Sequence, residues 1–179
     1  YSFAGTVGRK LREARAKVAA LMGARPEEII FTSCGTESDS TAIYSALNSN
    51  PEKKHIITTR VEHPAIKNLF ENLAKKGYNV TFVPVDKKGH LNLDLLYGSL
   101  DDNTAVVSIM WANNESGVIF PIGEIAAAVR NRGIVFHTDA VQAVGKISVD
   151  VKKTEVDMLS VSGHKIHAPK GVGALYVRK

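Results

Sequence analysis

The sequence predicts an α/β fold around a largely parallel sheet, and three observations carry that expectation. Seven short runs rich in β-branched residues occur along the chain, helical patterns lie between most of them, and polar clusters follow five of the runs. Strand–helix alternation points to parallel neighbours, which can be reached only through a crossover connection. The last two runs have no helical pattern between them, which predicts an antiparallel seventh strand.

Taken in order, Val7, Leu11, Ala14, Val18 and Leu21 recur at helical spacing, and Gly23 suits the stop. The run EIIFTS (28–33) reads as a strand and is followed by a helical pattern over about 37–48. HIITTR (55–60) leads into a helix over 64–76, with Pro64 in the first turn, where proline is tolerated, and Gly77 after the last. NVTFVPV (79–85) is a strand, 93–100 a short helix, and TAVVSIMWA (104–112) a strongly apolar strand. Pro121 opens a helix over 121–131 that Gly133 closes. IVFHTD (134–139), DMLSVS (157–162) and VGALYV (172–177) complete the set. Neither a repeat, nor a low-complexity segment, nor a linker interrupts this order.

The 179 residues are enough for one domain with a real core, and the composition, 44% hydrophobic and 23% charged, is ordinary for a globular protein. No apolar run approaches the length of a bilayer span, and nothing resembles a signal peptide, so a cytoplasmic protein with no membrane partner is expected. Cys34 is the only cysteine, which precludes an internal disulfide and agrees with a reducing compartment. The net charge of +5 comes with lysine pairs scattered at Lys53–Lys54, Lys75–Lys76, Lys87–Lys88 and Lys152–Lys153. Such pairs read as solvated surface, and no nucleic-acid partner is expected. The chain enters a helix almost at once and stops at a strand, so it reads as a piece of a longer protein.

The polar clusters CGTES, VEHP, NNESG, DAVQ and SGHK each stand at the carboxyl end of an expected strand. In open α/β sheets that edge is where ligands bind, so the five are expected to converge. The first, SCGTES, is a glycine-containing turn opening a helix, whose free N–H groups and dipole favour an anion such as phosphate; Gly35 and Thr36 would supply the contacts. Taken alone it also reads as an ordinary helix cap. It is not a Walker loop, and no G-x-G-x-x-G follows a strand. Asp139 ends an apolar strand, where burial would raise its pKa unless a cation, such as a protonated heterocyclic nitrogen, faces it. Gln142, three residues on, could reach the same face. By itself Asp139 reads rather as a capping residue.

His63 could stack on an aromatic ring or be a plain loop residue. His137, His164, His167 and Cys34 raise the question of zinc, but H-x-x-H without a second ligand pair is weak and no metal is expected. Lys165, between Ser162-Gly163-His164 and the next turn, leaves a buried strand. Partial desolvation would depress its pKa and make it an amine nucleophile able to form a Schiff base. Lys170, beside Pro169 and Gly171, reads as a turn lysine, and so would Lys165 were the other clusters missing. A phosphate cradle, a carboxylate for a ring nitrogen, a stacking histidine and a lysine together describe one cofactor, pyridoxal 5′-phosphate.

The segments FTSCGTESDSTAI, VEHPA, MWANNESGVIFPI, HTDAVQAVGK and DMLSVSGHKIHAPKGVGALYVR resemble the cysteine desulfurases, class V members of the fold-type I pyridoxal-phosphate enzymes, most of all the nitrogen-fixation type. The resemblance runs over essentially the whole chain. It implies a three-layer α/β/α large domain with a mostly parallel seven-stranded sheet over 1–179, lacking the N-terminal segment and the C-terminal small domain. It implies Lys165 as the Schiff-base lysine and proton carrier, and Ser162, Gly163 and His164 with Gly35 and Thr36 around the phosphate. Asp139 would pair with the pyridinium nitrogen and Gln142 with the ring hydroxyl. His63 would stack on the ring and move protons, and Asn114 would lie near the ring hydroxyl and substrate carboxylate.

The activity implied is conversion of L-cysteine to L-alanine, with sulfur passed through a protein cysteine persulfide to an iron–sulfur scaffold protein. A homodimer is implied as well. The family's sulfur-accepting cysteine and substrate-binding arginine match nothing here, and Cys34 reads as a small buried residue beside the cofactor rather than the acceptor. The chain by itself is therefore expected not to turn over. Selenocysteine lyase, another class V enzyme, and a cofactor-binding or dimerisation module without turnover are the alternatives.

Overall fold

The computed structural model describes residues 2–179, with side chains from residue 4 onward. Helix α1 (Ser2–Ala20) precedes strand β1 (Ile29–Thr32) and helix α2 (Gly35–Ser49). Next come β2 (His55–Thr59), α3 (Pro64–Lys75), β3 (Asn79–Val83), α4 (Leu93–Gly98) and β4 (Thr104–Ser108). Then follow α5 (Ile122–Arg130), β5 (Val135–Asp139), the single turn α6 (Val151–Thr154), β6 (Met158–Ser162) and β7 (Gly173–Val177). Every strand and helix expected from the sequence is present. Most boundaries differ by one or two residues, as frayed ends do.

Two strands are shorter than expected, for identifiable reasons. The third ends at Val83 because Pro84 has no N–H to offer the ladder. The fourth ends at Ser108, although the chain follows β5 further, with Ile109 N–H on the His137 carbonyl and Trp111 N–H on that of Asp139. Pro121 stands one residue before the first residue of α5, as its N-cap, rather than inside the first turn.

The seven strands form one sheet in the order β1-β7-β6-β5-β4-β2-β3. The pairs β2·β3, β2·β4, β4·β5 and β5·β6 are parallel, whereas β7 runs antiparallel to both β6 and β1. The antiparallel seventh strand follows from its short connection, a 3-10 turn over Gly163–Ile166 and a loop, which cannot make a crossover.

Alternation along the strands sends side chains to opposite faces. Ile56, Val106 and Met158 pack with Ile43, Leu47, Phe70 and Leu73 of α2 and α3. Ile57, Val107, Phe136 and Leu159 pack on the other face with Ala19 and Met22 of α1 and the turn after it, Leu96 of α4, and Ile125 and Val129 of α5. Helices therefore cover both faces, giving three layers.

The parallel strands and β1 all point their carboxyl ends to one edge. At that edge β7 enters close beneath the turn after β1. A Cβ on Gly173 would lie 2.7 Å from Thr32 Oγ1 and 2.8 Å from the Cys34 carbonyl carbon, so only glycine fits there.

Phe136 is fully buried at the centre of the larger core. Phe136→Ala should lower stability by about 3–5 kcal/mol, read as a fall in the urea midpoint with an unchanged slope.

Candidate functional site

A cavity of about 190 Å³ opens at the carboxyl edge of the sheet. Cys34, Gly35, Thr36 and Asp39 border it from the start of α2, and His63 from the start of α3. Met110 and Asn114 follow β4, Asp139, Val141 and Gln142 end β5, and Ser162, His164 and Lys165 leave β6. All five polar clusters thus contribute to one site. Nine of the ten residues expected from the sequence border it; the exception is Gly163. That residue is buried with its N–H on the Val172 carbonyl at 2.8 Å, and an added Cβ would stand 2.9 Å from the same oxygen. That close packing on Val172 lets the chain leave β6 tightly.

One end of the cavity is the N-terminus of α2. Cys34 is the N-cap and makes no side-chain cap hydrogen bond. The first helical N–H to find a chain carbonyl is that of Ser38, on Cys34 O at 3.2 Å, so those of Gly35 and Thr36 are not taken up by the helix itself. Glu37 turns back to accept from the Ser33 N–H and hydroxyl, both at 2.6 Å, which fixes the entry of the chain. A Cβ on Gly35 would approach Val141 Cγ2 to 3.0 Å and Ser162 Cβ to 3.4 Å, so glycine keeps this end open. The Ser162 hydroxyl lies 2.8 Å from His164 Nδ1. Cys34 is half-buried, not fully buried as expected, because the site opens beside it. The Glu37 N–H, then the Ser33 hydroxyl, hold its thiol below the ordinary value.

At the floor stands Asp139, 6% exposed. Its Oδ1 accepts from Val141 N–H at 2.9 Å, so it does cap the turn after β5. Burial raises its pKa, and His63 pulls weakly in the opposite direction. Gln142 borders the cavity with its Oε1 engaged by Lys146 Nζ at 2.9 Å. His63 is exposed, and its Nδ1 accepts from Ala65 N–H at 3.2 Å as the N-cap of α3. When neutral, it therefore carries its proton on Nε2.

Asn114 is presented by its neighbour. Asn113 Oδ1 accepts from the N–H groups of Glu115 and Ser116 at 3.0 and 2.8 Å, while its Nδ2 donates to the Val61 carbonyl at 3.0 Å. This Asx turn ties the loop after β4 to the loop after β2.

Lys165 reaches the cavity from the rim. It is exposed, so the desolvation expected for it is not found: β6 has ended three residues earlier and only the 3-10 turn surrounds it. Lys170 does not border the site. Of the histidines raised for zinc, His137 is fully buried below the floor, and no group of three or more histidine, cysteine or acidic side chains able to hold a metal comes together among the described residues.

Four contributors escaped the sequence reading. Met110 and Val141 carry no local signal. Asp39 does carry one, because an acid sits on the stripe Gly35, Asp39, Ala42, Ile43 and Ala46, which is otherwise the buried face of α2. Glu62 stands just beneath His63. It is 6% exposed, accepts from Thr59 Oγ1 at 2.8 Å and Met110 N–H at 3.0 Å, and leaves Oε2 without a partner. Burial pushes its pKa up to about 8, so it is largely neutral at pH 7 and bolts the His63 loop to the end of β4.

The whole chain, residues 1–179, matches the family described as aminotransferase class-V. A cysteine desulfurase of Nostoc sp. is 58% identical over all of this chain and 45% of its own length. The cysteine desulfurase NifS of Azotobacter vinelandii is 57% identical over the same shares. The chain thus spans about half the length of the curated relatives it matches. Among solved structures, a NifS-like protein superimposes with a TM-score of 0.96 at 41% identity, covering all of this chain and 50% of that one. SspA in complex with cysteine superimposes with a TM-score of 0.95 at 37% identity, over 100% and 52%.

Glu62 ionises near 4.5 in a solvated chain and near 8 when folded. Between those values the folded state binds the extra proton, so stability falls as pH rises across the window. Glu62→Gln removes this titration. The urea midpoint of the variant should therefore gain on the wild type between about pH 5 and pH 8, by up to a few kcal/mol in unfolding free energy.

Proposed function

The chain belongs to the aminotransferase class-V family, and on that premise we propose that it is the cofactor-binding large domain of a pyridoxal-phosphate-dependent cysteine desulfurase. The parent protein would be a cytoplasmic homodimer that converts L-cysteine to L-alanine. It would hand the sulfur, as a cysteine persulfide, to an iron–sulfur scaffold protein, in the nitrogen-fixation branch of such enzymes. One observation carries this reading: a single cavity brings Lys165 together with a buried Asp139 and with helix N–H groups left free by their own helix.

The residues present fit the cofactor. Gly35 and Thr36 N–H, the Ser162 hydroxyl and His164 suit its phosphate, since an anion there gains from both the free donors and the helix dipole. Asp139 is a carboxylate whose burial calls for a cation, and a protonated pyridine nitrogen supplies one. Gln142 and Asn114 would take its ring hydroxyl and the substrate carboxylate, and His63 would cover the ring face. When bound, pyridoxal phosphate withdraws electrons from the substrate's α-carbon.

The chain's own residues do the rest. Asp139, held by Val141 N–H, would keep the ring nitrogen protonated. Lys165 Nζ would hold the cofactor, and its amine would carry the proton of the substrate's α-carbon. His63, whose Nδ1 accepts from Ala65 N–H, would exchange a proton through Nε2 at the substrate side. Glu62 and Asn113 hold the two loops that present His63 and Asn114.

Pyridoxal phosphate mixed with this chain should give an absorbance band that borohydride abolishes. Lys165→Ala should remove that band and Lys170→Ala should keep it; the reverse pattern would refute the assignment of the lysine. In the parent protein, Asp139→Asn should retain bound cofactor while alanine formation from cysteine falls by at least tenfold. Full activity would refute the role of Asp139.

A further inference from the structure

Below the cavity floor runs a buried polar row on the α2 face of the sheet. Ser108 of β4 lies 2.9 Å from His137 Nδ1, and Ser160 of β6 lies 2.9 Å from His137 Nε2. His137 precedes Asp139 by two residues, so the two project from the same face of β5. Asp39, one turn into α2, closes over this row and borders the cavity. It is 1% exposed, and its Oδ1 has no hydrogen-bond partner.

Among the described residues, nothing positive answers Asp39. Its Oδ1 is 3.6 Å from His137 Nε2, but burial pushes the imidazole pKa down to about 3, so this is a contact with a neutral ring and not an ion pair. The other titratable groups facing Asp39 are Asp139 of β5, Glu62 of the loop after β2, and Cys34 at the start of its own helix. None is a cation, while His63 and Lys165 reach the cavity only from its exposed rim. Two negative charges in so dry a place would repel each other as well as lose their hydration.

We propose that Asp39 is a positioning residue that acts through Asp139: as an uncharged acid it closes the hydrogen-bond row Ser108–His137–Ser160 and leaves Asp139 the one negative charge at the cavity floor. The direction of its titration agrees, since burial first and the Asp139 charge second raise its pKa well above the ordinary value, against a smaller opposing pull from the Ser160 hydroxyl. An asparagine would reproduce the neutral form, with one acceptor and one donor in the same shape. An ionised aspartate it would not reproduce. The role toward Asp139 rests on the cofactor reading given above.

Two measurements on this 179-residue chain separate the outcomes. Unfolding of the cofactor-free protein is followed first, for the wild type and Asp39→Asn. A folded-state pKa raised above the unfolded value near 3.8 makes wild-type stability fall as pH rises through the window between them. The midpoint of Asp39→Asn should therefore gain on the wild type as pH rises above that unfolded value near 3.8. A constant difference would mean that Asp39 is ionised, and would overturn the proposal whether or not the cofactor binds.

Pyridoxal-phosphate affinity and the pH titration of its absorbance are measured second. Asp39→Asn should stay within about threefold of the wild type with an unmoved titration, whereas Asp39→Leu, of similar size but without polar atoms, should bind at least tenfold more weakly and move it. Equal damage by both variants, or by neither, would overturn the role. A wild type that fails to bind pyridoxal phosphate would instead sink the proposed function, leaving the unfolding experiment to decide the charge of Asp39.

Discussion

Parallel strands can be joined only by crossovers, and that constraint organises everything else in this molecule. Because β2, β4, β5 and β6 run the same way, each loop that leaves them emerges at one edge. β1 joins them in direction although its partner β7 is antiparallel to both neighbours. Residues as far apart as Gly35 and Lys165 are thereby gathered around one opening. The close approach of Gly173 to Cys34 seats β7 beneath the first of these turns, so the reversed strand supports the site without adding a side chain to it.

Desolvation gives the cavity its character. Three carboxyl groups, Asp39, Glu62 and Asp139, are nearly excluded from water at its floor and flank, and each has its pKa raised by burial. Their hydrogen bonds differ in kind. Glu62 is tied to Thr59 and Met110 and acts as a structural bolt, while Asp139 is held by one N–H at the end of β5. Asp39 faces the neutral His137 ring, the acids Asp139 and Glu62, and the Cys34 thiol. A protein surface would solvate such groups singly; here their proximity makes their charge states depend on one another. A cationic ring nitrogen is the simplest complement to that arrangement, which is why the acids favour the cofactor reading more than any lone motif does.

The helix N-terminus is built by similar economy. Glu37 and Ser33 lock the entry to α2, Cys34 caps without a side-chain hydrogen bond, and Gly35, having no Cβ, lets a Val141 methyl group approach closely. Lys165, by contrast, sits in the open on a 3-10 turn. An exposed amine at the rim and a buried acid at the floor suit a group that must be tethered, released and recaptured. The second-layer residues Glu62 and Asn113 fix the loops in between.

Local chemistry was enough to foresee the seven strands, the antiparallel last one and the five polar clusters that border the cavity, because periodicity, proline, glycine and strand-end polarity are all written in short stretches of chain; singling out Asn114, Ser162 and His164 within those clusters took the family resemblance. The shared edge was legible too, since topology follows from the alternation of elements. That Gly163 stands outside the cavity lining, and that an added Cβ there would meet Val172, could not be read locally, because only the folded chain brings Val172 near. Lys165 was expected to be desolvated, but how far a turn lies from packed neighbours is a property of the assembled layers. Asp39 and Glu62 went unassigned for the same reason: the state of an acid depends on what surrounds it, and their surroundings come from β4, β5 and β6. Sequence by itself determined which elements form and which edge carries the polar residues. Tertiary structure alone decided which of those residues are dry, because burial and the approach of distant charges are set by packing across the sheet and not along the chain.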